Sequence, residues 1–171
     1  NRGFTREHIF RILKTEIFPS FPTDTIDKLE NYVLKYHIRF STWQKPWAFR
    51  DYRSIDQEPA PLSDKEITKQ NTANTWREKV LSLLNPFLAG WKGALSAEDK
   101  CAFLYRWLTE QQIPETLSAW DELEFEKTKK RPHLQVWKKV LSLLDEIVHV
   151  TGKDILPEEE LCGILADGLS A

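Results

Sequence analysis

Apolar residues recur every three to four positions along most of the chain, the spacing at which side chains line one face of an α-helix. The clearest case follows a proline-rich turn near residue 20, where the apolar positions fall at i, i+3, i+7 and i+10: Ile26, Leu29, Val33 and Tyr36. No segment is convincing as a β-strand. We therefore predict an all-α fold, an irregular bundle of about six or seven helices, with residues 1–171 forming a single domain.

Capping residues and prolines set the predicted helix boundaries. The strongest start signal is the capping box Ser63-Asp64-Lys65-Glu66, and Pro86 is expected to kink or restart the helix that follows it. The segment Glu115–Lys130 carries a narrow apolar stripe of Leu117, Trp120 and Leu123. Gly152 fits the C-terminal cap of the helix before it. The predicted starts are Thr5, Thr23 or Asp24, Ser63, Ser96, Glu115, Pro132 and Pro157.

Residues 37–62 hold no helical period and predict one long loop, which we call the aromatic loop. Cations in and beside it alternate with aromatic residues: Lys35, Arg39, Lys45, Arg50 and Arg53 with Phe40, Trp43, Trp47, Phe49 and Tyr52. In one interpretation, exposed rings and cations bind a DNA strand or duplex end. In the other, which the pattern alone favours, the rings fold beneath the loop and hold it to the helices. The candidate DNA-contact residues are Lys35, Arg39, Trp43, Lys45, Trp47, Arg50 and Arg53.

A second basic cluster lies near the end of the segment that begins at Glu115. Acidic residues precede it, so a solvated helix end is the first interpretation and a phosphate contact the second. The acids of this segment diverge on a helix and do not converge on one point, as a two-metal nuclease would require. The cluster consists of Lys127, Lys129, Lys130 and Arg131, after Asp121, Glu122, Glu124 and Glu126.

The sequence offers no catalytic or cofactor motif. It contains neither a GxxxxGK[ST] nor a GxGxxG phosphate loop, and its four histidines are scattered without metal-ligand spacing. The net charge of −2 means that any affinity for nucleic acid must come from a local patch. We predict that the chain is not an enzyme and holds no cofactor and no metal, and its apolar runs are too short to cross a membrane.

Cys101 and Cys162 are the two cysteines, and each falls on the apolar face of a predicted helix. Buried free thiols are the first interpretation, which implies a reducing compartment and a cytoplasmic location; a disulfide is the alternative. The chain has no methionine, not even at position 1, so we expect a fragment of a longer protein.

Two segments, Phe10-Arg11-Ile12-Leu13-Lys14-Thr15 and Asp27-Lys28-Leu29-Glu30-Asn31-Tyr32, make the chain resemble the AddB (RexB) subunit of bacterial helicase–nucleases. The resemblance covers nearly the whole chain. It departs in the turn that begins at His37, where relatives tend to carry glycines. Later segments match in order: Trp43, Cys101–Glu110, Trp137–Val150 and Ile164–Gly168.

The resemblance implies that this chain is an internal piece of a larger subunit. Such subunits resemble superfamily 1 helicases, with two RecA-like lobes, helical insertions and a nuclease domain, and they use ATP, magnesium and an iron–sulfur cluster. This stretch would be the 2B-like helical insertion of the second lobe. None of the family's catalytic or cluster-binding motifs matches a position here, so no catalytic residue carries over. The implied partners are the other domains of the subunit, the helicase partner subunit and DNA.

We therefore expect a non-catalytic helical subdomain of an ATP-dependent helicase/exodeoxyribonuclease subunit that acts in double-strand break repair and recombination. It would brace the helicase-like lobes and help shape the DNA channel or the subunit contact. One alternative is a self-contained helical adaptor that binds proteins without touching DNA. A self-contained nuclease or ATPase is the third class, and it lacks both the phosphate loop and the converging acids.

Overall fold

The computed structural model describes residues 5–49 and 61–170. These residues form seven α-helices and one short 3-10 helix, and they contain no β-strand, which confirms the all-α prediction. The 3-10 helix spans Phe40–Thr42. The α-helices are α1 (Arg6–Leu13), α2 (Thr23–Lys35), α3 (Asp64–Gly93), α4 (Ala97–Glu110), α5 (Ile113–Thr128), α6 (Pro132–Thr151) and α7 (Glu158–Ser170).

The chain divides into two compact units. The first contains Asn1–Glu16 and Ser20–Asn85, which carry α1, α2 and most of α3. The second contains Ile17–Pro19 and Pro86–Ala171, which carry the end of α3 and α4 to α7. Whether the two units unfold together as a single domain stays a prediction.

In the first unit, apolar faces of α1 and α2 are buried as their spacing predicts. Lys14 at the end of α1 links the two helices, with Nζ 3.0 Å from Asp27 and 2.5 Å from Glu30. The hydrogen bonds that Lys14 donates to Glu30 and then to Asp27 raise the pKa of Lys14 above its ordinary value. Ile12 is the exception on α1: it is 38% exposed, although Ile9, Phe10 and Leu13 of the same helix are buried.

The helix starts follow the capping prediction except at α2 and α5. The start predicted at Glu115 was wrong: α5 begins at Ile113, because Pro114 lies in the first turn, where a helix tolerates proline. Thr5 caps α1 by accepting a hydrogen bond from the His8 amide at 3.4 Å, and the Ser63–Glu66 box is formed. At α2 the prediction was wrong: Pro22 is the N-cap residue and has no side-chain bond to offer. The Thr23 hydroxyl instead donates to Glu16 Oε1 at 2.6 Å, so its side chain contacts the preceding turn and does not cap the helix.

The second unit has its own apolar core, contributed by α4, α6 and α7. Ser96 caps α4 through a full capping box with Asp99, and Gly152 ends α6 with φ +53° as predicted. Cys101 is buried as expected, and burial raises the pKa of its thiol. Cys162 is exposed, against expectation. The buried members of the core are Ala97, Cys101, Leu144, Ile147 and Leu161.

Pro86 and Gly90 lie within α3 and do not end it. The helix does not restart at Pro86 but continues to Gly93. At Gly90 the lack of a side chain has a packing reason, since a Cβ atom there would lie 2.1 Å from the ring of Phe103. The Phe103 ring of α4 therefore packs directly against the backbone of α3 at Gly90.

The turn after α2 is a Schellman motif with a histidine in the position that usually favours glycine. His37 has φ +50°, its amide donates to the Leu34 carbonyl at 3.1 Å, and the Ile38 amide donates to the Val33 carbonyl at 2.9 Å. Ile38 is buried beyond the turn. The left-handed turn is therefore kept without a glycine, at the cost of strain at His37.

Replacing His37 with glycine should remove this strain. We expect His37→Gly to raise the free energy of unfolding by about 0.5–1 kcal/mol, measured by urea denaturation. The matched control is His8→Gly, at an exposed position inside α1, which should lower the same quantity by a similar amount. Two variants that shift stability in the same direction would contradict the assignment of strain to His37.

Candidate nucleic-acid interface

The aromatic loop is held by a buried arginine of α3. Arg77 is 3% exposed, and its Nη1 donates to the Trp43 backbone carbonyl at 2.6 Å. The other guanidinium nitrogens reach Asn74 Oδ1 at 3.1 Å and Glu78 Oε1 at 2.8 Å. The charge of Arg77 is therefore buried with its donors engaged, which is the condition under which burial is tolerated.

Asn74, one turn before Arg77, binds the next part of the loop. Its Oδ1 accepts the Trp47 amide at 2.7 Å, and its Nδ2 donates to the Trp47 carbonyl at 2.9 Å. The side-chain amide thus pairs with both backbone groups of one residue, as a neighbouring strand would. Asn74 and Arg77 together form what we call the α3 clamp.

The clamp places the two loop tryptophans in the core of the first unit. Trp43 and Trp47 are 0% and 2% exposed and meet edge to face with centroids 5.1 Å apart. Trp43 also contacts Phe10 of α1, and Trp47 stacks on Tyr32 of α2 at 5.8 Å. This agrees with the second interpretation of the loop, in which its rings hold it to the helices. Buried rings offer no face to a base, so stacking by Trp43 and Trp47 does not fit this structure.

The cations of the loop lie on its outside. Lys35, Arg39 and Lys45 are exposed, whereas Arg50 and Arg53 lie outside the described residues. Beside them Tyr36 and Phe49 are half-buried and stack with centroids 5.7 Å apart. This aromatic pair forms an accessible aromatic surface next to the cations, and the sequence did not indicate that Tyr36 and Phe49 would stack on each other. DNA contact by these cations stays a prediction.

The second basic cluster, at the end of α5, presents exposed cations around one ring. Lys129 Nζ and the Arg131 guanidinium lie 5.3 Å and 4.9 Å from the centroid of Phe125. Lys130 is also exposed, and the Lys127 side chain lies outside the described part of the chain. The exposure agrees with a solvated helix end.

A buried aspartate joins α5 to α6, and the sequence analysis missed it. Asp121 is 0% exposed; its Oδ1 accepts the His133 amide at 3.1 Å, and its Oδ2 accepts the Leu134 amide at 2.8 Å. His133 Nδ1 lies 2.9 Å from the same carboxylate. An Asp–His pair can belong to catalytic machinery, but here both oxygens accept the first free amides of α6. The pair acts as an N-terminal cap supplied from another helix.

Asp121 also explains the error in the apolar stripe of α5. Among the described side chains of α5, the buried ones are Ile113, Leu117 and Asp121, which are spaced four residues apart on one face. Leu123, expected in the stripe, is 78% exposed. The sequence alone does not distinguish a buried charged residue from a solvent-exposed one when the groups that bind it lie on a different helix, as the α6 amides do for Asp121.

The described residues offer no metal site and no membrane span. Among residues 5–49 and 61–170, no three His, Cys, Asp or Glu side chains cluster so that they could hold a metal ion. No helix within these ranges combines the length and apolar character that crossing a membrane requires.

Comparison with known proteins relates the whole chain to one kind of protein. No protein-family model matches the chain. The AddB-type ATP-dependent helicase/deoxyribonuclease subunit of Geobacillus kaustophilus is 35% identical over 176 aligned positions, covering 95% of this chain and 15% of that protein. Its counterparts in Geobacillus thermodenitrificans and Anoxybacillus flavithermus are 33% and 32% identical, covering 95% and 99% of this chain. The chain is homologous to a segment of AddB.

The AddB relationship confirms the resemblance over nearly the full chain. The chain spans about 15% of the length of the curated relatives it matches. The α3 clamp and the two tryptophans that it holds, Trp43 and Trp47, belong to this AddB-like segment.

The clamp can be tested by removing one of its members. Asn74→Ala leaves the Trp47 amide and carbonyl without their partner, so we expect the free energy of unfolding to fall by about 2 kcal/mol. The measurement is urea denaturation followed by tryptophan fluorescence. Asn71→Ala is the matched control, at an exposed position of the same helix, and should change stability by less than about 0.5 kcal/mol. Equal effects of the two substitutions would show that the clamp contributes nothing.

The Asp121 cap predicts a specific loss of stability in acid. Burial acts to raise the pKa of Asp121, but the hydrogen bonds from Leu134 and His133 outweigh it and hold the pKa below its ordinary value. The cap's contribution is therefore complete above the unfolded-state pKa of about 3.9 and is lost as the pH falls through the lower folded-state value.

Asp121→Asn should lower the melting temperature at pH 7 by several degrees and should flatten the decline of stability below about pH 4, where the wild-type carboxylate takes up its proton. Asp145→Asn, at an exposed position of α6, is the control and should leave both quantities close to wild type. Thermal melts followed by circular dichroism, from neutral pH down to about pH 2.5, give both readouts. An unchanged acid decline in Asp121→Asn would count against the cap.

Proposed function

We propose that this chain is a non-catalytic helical subdomain of an AddB-type helicase/deoxyribonuclease subunit that acts in double-strand break repair and recombination. The observation that supports this most is the homology to AddB over 95–99% of the chain. The subdomain braces the helicase-like lobes and contributes to the DNA channel or the subunit contact. Its position as the 2B-like insertion of the second lobe is part of the proposal.

The α3 clamp gives the proposal a physical basis. Lys35 is fixed at the end of α2, whereas Arg39 and Lys45 lie in the loop. A loop of this length would normally sample many conformations, and a phosphate contact would have to order it. Because Arg77 and Asn74 bind the loop backbone, part of that ordering is complete before DNA arrives. The cations and the half-buried Tyr36–Phe49 pair then provide charge and a ring surface on the first unit.

We place the helicase and nuclease reactions of the parent complex in regions outside this segment. ATP, magnesium and an iron–sulfur cluster belong to other regions of the AddB subunit. The partners are those regions, the helicase partner subunit and DNA, and the location is cytoplasmic. The segment acts by shape and charge.

A second candidate function, a protein-binding adaptor, is favoured by an apolar groove in the second unit. The groove has a volume of about 470 Å³ and lies between α4 and α6. Tyr105, at its edge, is 48% exposed. Contacts of this kind are driven by apolar burial, so binding that persists in high salt would favour the adaptor.

The DNA proposal predicts binding that depends on salt and on three cations. We expect the chain to bind a labelled single strand at low salt, and the triple variant Lys35→Ala/Arg39→Ala/Lys45→Ala to bind at least about tenfold more weakly. The slope of log affinity against log salt should fall in magnitude by about 2, at about 0.7 for each lost phosphate contact. Fluorescence anisotropy at several salt concentrations measures both quantities.

The control removes the same charge from the second unit: Lys92→Ala/Lys138→Ala/Lys139→Ala, all at exposed positions. It should retain most of the affinity. Absence of binding at low salt, or equal losses in the two triple variants, would overturn the role of the loop in DNA contact.

A further inference from the structure

The first unit contains a groove that the sequence analysis did not predict. It lies between α2 and α3, with a volume of about 380 Å³. Its base is formed by Leu29 and Ala73, which are buried, and Trp76 lies along its wall. A groove of this volume, largely apolar with a few polar groups, has the character of a small-ligand site.

The polar groups that line the groove favour an anion. Lys28 of α2 and Lys69 of α3 both line it, and none of its lining residues in the described part of the chain is a carboxylate. Lys69 forms no ion pair with any described residue. Lys28 pairs with Asp24 at 2.5 Å, but both side chains are more than 70% exposed. An exposed pair of this kind is weak, so a phosphate can replace Asp24 at little cost.

The aromatic wall of the groove favours a flat ring. Trp76 is half-buried, and Lys79 Nζ lies 4.5 Å from its ring centroid. Lys79 is itself held, because it donates to the Ser20 carbonyl at 3.2 Å. The indole is thus supported from one side by a fixed cation, while part of its remaining surface borders the groove. A base is the flat group that stacks on indole in nucleic-acid complexes.

We propose that the α2–α3 groove binds one nucleotide of a DNA single strand, with the base against Trp76 and the phosphate between Lys28 and Lys69. This inference rests on the proposed DNA contact of the aromatic loop. Lys28 and Lys35 are seven residues apart on α2, so they share a face and lie about 10 Å apart along the helix. One strand can therefore pass from the loop cations to the groove.

The test separates the base from the phosphate. Thr72→Phe fills the groove from an exposed position, and Lys28→Glu/Lys69→Glu reverses its charge. The ligands are a labelled oligothymidine, the same strand with abasic residues, and free thymidine monophosphate as competitor. We expect Thr72→Phe to weaken oligothymidine binding at least roughly fivefold and to leave binding of the abasic strand nearly unchanged. The lysine variant should weaken binding of both strands and reduce the salt slope.

Two controls complete the experiment. Lys138→Glu/Lys139→Glu, exposed on α6, makes the same change in net charge and should have a smaller effect than the groove variant. Asp24→Asn frees Lys28 and should strengthen binding. Circular dichroism melts confirm that each variant is folded.

The outcomes distinguish this inference from the function it rests on. If groove variants bind like their control while the loop triple variant binds weakly, the groove is not part of the interface and the loop proposal stands. Displacement of the labelled strand by thymidine monophosphate, at a concentration as low as the strand concentration that saturates the chain, would indicate a site for free nucleotides. That result would overturn the assignment to a DNA strand. Absence of wild-type binding to every ligand would reject both.

Discussion

The first unit depends on one buried positive charge and the backbone it holds. A guanidinium removed from water is costly unless its donors are satisfied, and Arg77 meets that condition through the Trp43 carbonyl and two side chains. The buried carbonyl of Trp43 in turn receives a hydrogen bond from Arg77. A loop has no regular backbone pairing that could supply this bond. Contacts from α3 therefore fix the loop backbone at Trp43 and Trp47, whose rings are buried in the first unit. If the hydrogen bond between Arg77 and the Trp43 carbonyl is lost, each of the two buried polar groups is left without this partner.

Elements whose signals are local were predictable from the sequence. The period of α2 and the Ser63 capping box each concern residues within a turn or two of each other, and both are present. The burial of the loop tryptophans was the favoured of two interpretations, although both were also named as candidate DNA contacts. Large rings in a long loop lower their free energy most by leaving water. The breaker signal at Pro86 was overestimated, since α3 tolerates it.

Features that depend on a distant partner were not predictable. Thr23 has the composition of a cap, yet its hydroxyl is taken by Glu16. The charge of Asp121 alone would predict a solvent-exposed side chain. Its carboxylate is nevertheless buried, because amides at the start of α6 donate hydrogen bonds to it. The candidate site divides in the same way. Its cations could be read from composition, but the groove between α2 and α3 could not, because Lys28 and Lys69 come from helices separated by the whole aromatic loop.

The two cysteines differ in a way that has a practical consequence. Cys101 lies in the core of the second unit with a thiol whose pKa is raised by burial, whereas Cys162 is exposed on α7. Thiol reagents act on the accessible thiolate, so a maleimide dye added to the native chain labels α7 first. The protein thus carries a built-in attachment point for a fluorophore or spin label, and distance measurements to a bound partner need no engineered cysteine.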